Sequence, residues 1–217
     1  MSEPSEKIVH ETEDKEPGYK ILLKYVVGLF LILIVIMWVV PSYGLKQNPE
    51  PKNIPTLKEL NISTLQIPNI TSTDIRNYIQ TTKEVKMIAD QIVAQSCSPT
   101  HRVCNAKALF YFVQKNFNYV NDPLKFEYYK TPQEAFQSTA GDCDDSSILL
   151  SSLLRSVGFN TRFVFVPSHV YIQVKIPEAI TSYKTENSWI NLDSTCQDCE
   201  FGKIHYTYAN SKKRYLE

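Results

Sequence analysis

Residues 141–159 read GDCDDSSILLSSLLRSVGF, a cysteine among three aspartates followed by an apolar run. Apolar residues recur at helical spacing from Ile148 to Val157, and Gly158 ends the pattern, so the stretch predicts a buried helix that begins near Cys143. A helix N-terminus stabilises a thiolate, whereas the three neighbouring aspartates oppose its negative charge. Cys143 is therefore a candidate nucleophile, a candidate metal ligand or a buried structural thiol.

Strand patterns follow this helix. Residues 161–176 read TRFVFVPSHVYIQVKI and predict two consecutive strands, because β-branched and aromatic residues dominate and the second strand alternates cleanly. Residues 188–195, SWINLDST, repeat the alternation. If these strands pair, His169 and Asp193 share one face of the sheet, and we expect the helix of Cys143 to pack across that face.

Three of these side chains together offer the chemistry of cysteine-dependent catalysis. Such catalysis needs a thiolate, an imidazole that exchanges a proton with it, and a third group that orients the imidazole. Cys143, His169 and Asp193 supply these groups in the order nucleophile, base and orienting group. Cys143 taken alone is better explained as a buried thiol, since free cysteine is often buried. The combination favours a catalytic triad.

The segment that carries these residues resembles the core of the transglutaminase-like superfamily. It reads TPQEAFQSTAGDCDDSSILLSSLLRSVGFNTRFVFVPSHVYIQV, and WINLDST follows it after a short gap. The family pattern is a Gly-x-Cys helix start, a strand led by His, and a strand that closes on Trp-x-x-x-Asp. The resemblance extends over residues 103–196 and departs from the commoner form at Gln173, where a glutamate is frequent.

The resemblance implies an α+β fold of the papain and transglutaminase type, with N-terminal helices and a cysteine-bearing helix packed on an antiparallel sheet. It implies that Cys143 is the nucleophile, His169 the base and acid, and Asp193 the orienting group, with no metal or other cofactor. Trp189 would cover the site or the substrate strand, and the backbone N–H of Cys143 would supply part of an oxyanion hole. Tyr171, on the polar strand face, is a candidate substrate contact or a packing residue.

The chemistry implied by the resemblance is acyl transfer through a cysteine thioester. The substrate would be a protein or peptide, cleaved at a peptide, isopeptide or amide bond, and release by water is favoured over release by an amine. The alternative is an inactive fold that serves as an interaction module outside the cytoplasm.

Helices are also predicted ahead of the cysteine. Apolar spacing indicates one helix that begins at Thr73 or Asp74 and continues to Val93, and a second over residues 103–118. TPQEAF predicts a short helix opened by a capping threonine with proline at its first position.

Residues 21–41 are predicted to form a single transmembrane helix. The run ILLKYVVGLFLILIVIMWVV has one charge, and about 20 apolar residues span a bilayer core. A cleaved signal peptide is the alternative, because Ser42 and Gly44 form a small-x-small pair. The long apolar run and the acid-rich start favour an uncleaved anchor.

The remaining chain is divided by composition. Residues 1–20 predict a disordered tail, residues 42–72 predict an extended, proline-rich stalk, and residues 73–217 predict the transglutaminase-like domain. The charges balance, with 23 Lys and Arg against 23 Asp and Glu, so nucleic acid is not an expected partner.

A small charge bias sets the predicted topology as a cell-membrane protein with a cytoplasmic N-terminus and an external C-terminal domain. Lys15 and Lys20 precede the apolar run and Lys24 lies near its start, whereas Lys46 and Lys52 follow it. Glycosylation sequons at Asn61 and Asn69 agree with an external domain.

The number and spacing of the cysteines also indicate that the C-terminal domain is external. Four of the five cysteines stand in two close pairs, and disulfides between them would leave Cys143 as the single free thiol. The pairs are Cys97 with Cys104 and Cys196 with Cys199, joined locally or crossed. Structural zinc on these four residues, with His101 or His205 as substitutes, is the other interpretation. The external context favours disulfides.

Overall fold

The structure, a computed structural model, describes residues 17–60, 62, 65–99, 101–123 and 128–217. The chain divides into two compact units, Met1–Gly44 and Leu45–Glu217. The helices are α1 Gly18–Gln47, α2 Lys83–Ser96, α3 Arg102–Asn116, α4 Pro132–Ser138 and α5 Cys143–Ser156. The strands are β1 Asn118–Tyr119, β2 Ala140–Gly141, β3 Thr161–Val166, β4 His169–Lys175, β5 Trp189–Leu192 and β6 Arg214–Leu216.

The first unit contains one apolar helix, as predicted. Its span Gly18–Val40 has a mean hydropathy of 2.7 and is long enough to cross a membrane, and none of it is buried within the described chain. A signal sequence near the N-terminus has the same length and composition. The predicted disordered tail lies outside the described residues over 1–16, whereas its last residues, from Gly18, are helical.

The predicted stalk, residues 42–72, packs in part on the domain where the structure describes it. Leu60 and Leu65 are 4% and 5% exposed and belong to the main hydrophobic core. The Nε2 of Gln137 donates to the carbonyl of Leu65 at 2.8 Å. The prolines prevent a helix, but the leucines gain free energy by burial, so the domain begins earlier than predicted, in the unit that starts at Leu45.

A buried lysine connects the start of this segment to the domain through hydrogen bonds and an ion pair. Lys107, in α3, is 1% exposed. Its Nζ donates to Asn48 Oδ1 at 2.7 Å and to the Tyr183 hydroxyl at 3.1 Å, and it pairs with the carboxylate of Glu50. Because an unpaired buried charge is costly, these three partners stabilise the folded position of the segment.

The long helix predicted from residue 73 is interrupted. Asp74 caps a short 3-10 helix, Ile75–Tyr78, and Thr82 opens α2 by accepting the backbone N–H of Val85. Two capping side chains eight residues apart therefore start two elements instead of one. The second predicted helix is present as Arg102–Asn116.

The sheet has the strand order β5-β4-β3-β6, and every neighbouring pair is antiparallel. Its apolar face packs against α5 in the main core. The strand residues on this face are Phe163, Val170, Ile172, Val174, Ile190 and Leu192, and they meet α5 residues Ile148, Leu149 and Leu153.

The helix of Cys143 therefore packs on the face opposite to the one predicted. His169 and Tyr171 project from the other face, where Tyr171 packs with Val164 and Val166 against Ile204 and Tyr208. The reason is burial: α5 has an apolar stripe and covers the apolar side of the strands. The polar side is crossed by the C-terminal segment.

Candidate active site

Cys143 is the first residue of α5, and Asp142 caps the helix. The Oδ1 of Asp142 accepts the backbone N–H groups of Asp144 at 3.1 Å and Asp145 at 3.3 Å. The backbone N–H of Val170 donates to the sulfur of Cys143. The thiol therefore lies against the start of β4, beside Val170, the residue that follows His169.

The start of α5 is fixed by a buried ion pair. Asp145 is 1% exposed, and its two oxygens accept the backbone N–H of Lys130 at 2.7 Å and its Nζ at 2.5 Å. Burial raises the pKa of Asp145, and the hydrogen bonds from Lys130 oppose this rise. The side chain of Asp145 lies directly over Gly141: a Cβ at Gly141 would be 2.5 Å from the Asp145 Cβ. Only glycine leaves this space two residues before Cys143.

Strand pairing brings His169 and Asp193 together. His169 is the first residue of β4, after a tight turn, and Asp193 directly follows β5, whose Leu192 pairs with Ile172. The Nε2 of His169 lies 3.0 Å from Oδ2 of Asp193, and the side chains are 8% and 2% exposed. The hydroxyl of Thr195 donates to the other oxygen, Oδ1, at 2.8 Å.

This bond defines the roles of the two imidazole nitrogens. When Nε2 carries the proton, it donates to the carboxylate of Asp193, and Nδ1 of His169 is then the unprotonated nitrogen. Nδ1 is the atom that can accept a proton from a thiol. The geometry matches a base and an orienting group.

Burial, the neighbouring aspartates and the helix N-terminus have opposing effects on the pKa of Cys143. Burial raises the pKa of the thiol to about 12, the negative charge of Asp144 adds to the rise, and the N–H of Val170 opposes it. The thiol Sγ lies 3.9 Å from Oδ1 of Asp144, which can accept a hydrogen bond from the thiol. Burial and the aspartates thus outweigh the helix N-terminus, and the resting thiol is protonated at neutral pH.

Asp144→Asn is expected to speed alkylation of Cys143. Removing the carboxylate charge lowers the pKa of the thiol, so the thiolate fraction at any pH below about 12 increases. In the wild type, we expect the rate with iodoacetamide to rise about tenfold per pH unit from pH 7 to 9 without a plateau. Mass spectrometry of the intact disulfide-bonded chain measures this rate. Asp90→Asn, on the exposed face of α2, is the control, and a plateau below pH 8 would contradict the raised pKa.

A cavity of about 330 Å³ opens beside the His169–Asp193 pair. The residues that line it are Tyr119, His169, Asp193, Thr195, Cys196, His205, Thr207 and Tyr208. Tyr119 is placed there by the parallel pairing of β1 with β2, which sets it opposite Gly141. Burial raises the pKa of Tyr119 to about 12, so its hydroxyl remains a hydrogen-bond donor on the cavity wall. A cavity of about 370 Å³ lies elsewhere, lined by Gln173 and Asn191 among others.

Trp189 and Tyr171, proposed as substrate contacts, do not line this cavity. Trp189 begins β5, about 13 Å along the chain from Asp193, and its ring lies 4.3 Å from the guanidinium carbon of Arg162. Tyr171 is 1% exposed, and its hydroxyl has no hydrogen-bond partner within the described structure. Both side chains pack on the sheet away from the opening.

Sequence reasoning missed the residues that come from the C-terminal segment. The ring of Tyr208 stacks on the imidazole of His169 with centroids 4.7 Å apart and planes at 16°. His205 and Thr207 line the cavity beside it, joined by a hydrogen bond of 2.8 Å between Nδ1 and Oγ1. The sequence around Tyr208 has no recognisable motif, so only the folded chain brings it to the site.

The four paired cysteines form two disulfides, Cys97–Cys104 and Cys196–Cys199, and Cys143 is free. Both pairings are local, so neither disulfide ties the loop after Asp193 to the first helices. That connection is made by Gln114 of α3, whose Nε2 donates to the carbonyls of Cys196 at 2.7 Å and Cys199 at 2.9 Å. With their sulfurs joined, the four residues do not act as zinc ligands.

The comparisons with known proteins agree with this architecture. The family model of the transglutaminase-like superfamily core matches residues 86–194, half of the chain. The chain belongs to the transglutaminase-like superfamily. The match includes Cys143, His169 and Asp193.

Solved structures of other proteins resemble part of this chain. EGTA-treated LapG from Legionella pneumophila is 18% identical, with a TM-score of 0.44 over 66% of this chain and 80% of LapG. Calcium-bound LapG is 18% identical, with a TM-score of 0.42 over 64% and 79%. A protein from Cytophaga hutchinsonii, provisionally described as a cysteine protease, is 15% identical, with a TM-score of 0.40 over 58% and 44%. Among curated protein sequences, none matches this chain.

Proposed function

We propose that the chain is a membrane-anchored thiol acyl-transfer enzyme that hydrolyses peptide, isopeptide or amide bonds through a thioester on Cys143. One observation carries the proposal: in the buried His169–Asp193 pair, 3.0 Å between Nε2 and Oδ2, the histidine begins the strand whose next residue, Val170, hydrogen-bonds through its backbone to the free thiol of Cys143. Family membership supports the same chemistry, because the matched residues include all three side chains.

The reaction begins with a protonated thiol. As the sulfur of Cys143 attacks the substrate carbonyl carbon, its proton passes to Nδ1 of His169, and Asp193 stabilises the imidazolium through Nε2. In this proposal, the backbone N–H of Cys143, at the N-terminus of α5, stabilises the developing oxyanion. The leaving amine takes the proton from His169, which leaves a thioester. Water, deprotonated by the same imidazole, then attacks the thioester and restores the thiol.

The test is formation of a thioester in the full chain, held in detergent micelles. With p-nitrophenyl acetate, we expect a burst of nitrophenolate and an acetyl group that mass spectrometry maps to Cys143. Cys143→Ala should abolish the burst. His169→Ala should slow it about a hundredfold, the usual contribution of a general base, while His101→Ala should leave it unchanged.

The same assay tests whether an amine, instead of water, can accept the acyl group from the thioester. Adding a primary amine separates hydrolysis, in which acetate is released, from transfer, in which an acetylated amine accumulates. If Cys143 forms no thioester in the intact chain, the fold is an interaction module, the alternative function.

The proposed location is the cell membrane, with the catalytic domain outside the cytoplasm. The apolar helix Gly18–Val40 and the two disulfides support it, since disulfides persist in oxidising compartments. Extraction of membranes with sodium carbonate distinguishes an anchor, which stays in the pellet, from a cleaved signal, which leaves the domain soluble.

A further inference from the structure

The segment that crosses the polar face of the sheet ends on the proposed catalytic base. Tyr206–Tyr208 form a short 3-10 helix. Tyr208 packs with Val164, Val166 and Tyr171 on one side, and its ring is nearly parallel to the imidazole of His169, with centroids 4.7 Å apart. The same ring also lines the cavity beside Asp193.

The stacked ring of Tyr208 restricts rotation of the His169 imidazole, and this rotation would separate the base from its orienting group. Rotation about the last side-chain torsion of His169 would take Nε2 away from Asp193, and a parallel ring at stacking distance blocks that rotation. The ring of Tyr208 also covers the imidazole, so water has less access to the bond between Nε2 and Oδ2. A hydrogen bond shielded from water is stronger than an exposed one.

We propose that Tyr208 is a positioning residue, whose ring holds the imidazole of His169 in the orientation that faces Nε2 to Asp193 and so leaves Nδ1 as the nitrogen that accepts the thiol proton. This role rests on the proposed function, because it acts through the catalytic base. The aromatic ring, and not the hydroxyl, performs it: the described structure contains no hydrogen bond from the Tyr208 hydroxyl to His169 or Asp193.

The neighbouring tyrosine provides a matched control. Tyr206 lies two residues away in the same 3-10 helix and is 80% exposed, and its ring contacts that of His205 in a tilted arrangement with centroids 4.4 Å apart. It does not line the cavity. Tyr206→Leu therefore changes the same short helix and removes an aromatic ring, but leaves the stack on His169 intact.

The experiment measures the imidazole directly. In the full chain with ¹⁵N-labelled histidine, held in detergent micelles, the Hε2 proton of His169 is observed by NMR together with its exchange with water. In Tyr208→Leu, we expect Hε2 exchange to be about tenfold faster, the upper end of what an aromatic pair contributes, and the ring-current shift of the imidazole carbon-bound protons to disappear. Tyr208→Phe and Tyr206→Leu should stay within about twofold of the wild type.

A second measurement is the rate of Cys143 acetylation by p-nitrophenyl acetate. Tyr208→Leu should lower it by about tenfold to a hundredfold, the cost of a misplaced catalytic group, and Tyr208→Phe should restore it. Unchanged Hε2 exchange in Tyr208→Leu would overturn the proposal, and so would a phenylalanine variant that behaves like the leucine variant. Because Hε2 exchange needs no thiol chemistry, a wild type that forms no thioester but shows the expected exchange pattern overturns the enzyme function alone.

Discussion

Asp193→Asn is expected to lower the rate of Cys143 acylation by about 10³- to 10⁴-fold. The Asp193 carboxylate accepts a hydrogen bond from Nε2 of His169 at 3.0 Å. In the asparagine variant, the Thr195 hydroxyl would keep the amide oxygen at the position of Oδ1, so the amide NH2 would face His169 and donate to Nε2. The imidazole proton would then reside on Nδ1, the nitrogen that must accept the thiol proton. Single-turnover acylation, followed by mass spectrometry, measures the effect.

The matched variant for this prediction is Thr195→Val. It removes the hydroxyl that donates to Asp193 Oδ1 at 2.8 Å but leaves the carboxylate and its bond to His169 in place. We expect a loss of about tenfold, since one hydrogen bond to a charged group is removed. If Asp193→Asn keeps a rate within about tenfold of the wild type, Asp193 does not orient the base.

Gly141→Ala is expected to destabilise the domain by about 3 kcal/mol, which corresponds to a melting temperature about 10 °C lower. The added Cβ would lie 2.5 Å from the Cβ and 2.6 Å from Oδ2 of Asp145. Asp145 would have to move, and its buried pair with Lys130 would be broken. Because α5 begins two residues later, the displaced segment also carries Cys143.

Gly158→Ala provides the comparison for the melting experiment. Gly158 has a φ of +85°, but no atom lies within 4 Å of the Cβ that alanine would add. Its cost is the backbone strain of an L-residue at positive φ, about 1 to 2 kcal/mol. Thermal unfolding of the full chain in detergent, followed by tryptophan fluorescence, compares both variants with the wild type. Equal melting temperatures for the two variants would show that Gly141 is not held by the contact with Asp145.

Local sequence predicted most of the elements that carry the site. The short helix before the cysteine begins as expected, with Thr131 and Glu134 forming a capping box and proline at the first position. The helix start at Cys143 and the strand start at His169 were also identified correctly. These features depend on capping and on apolar spacing, which act between residues that are neighbours in the chain.

Two predictions failed because burial was decided by distant residues. Prolines between residues 48 and 72 indicated an extended stalk, but Leu60 and Leu65 are buried in the hydrophobic core of the domain. The helix of Cys143 was expected on the face of the sheet that bears His169, yet it packs on the opposite face. The alternation of side chains fixes which residues share a face, while the partner that covers each face depends on the whole core.

The identity of the three catalytic candidates, their order, and their places at one helix start and two strands could be predicted from the amino-acid sequence alone. Motif and periodicity are properties of short stretches, so they can be read without the fold. The raised pKa of the Cys143 thiol depends on the tertiary structure, because burial by distant residues is its largest cause. Only the tertiary structure brought Tyr119 and Tyr208 to the cavity, since both arrive from segments without a motif, one placed by strand pairing and the other by packing across the polar face of the sheet.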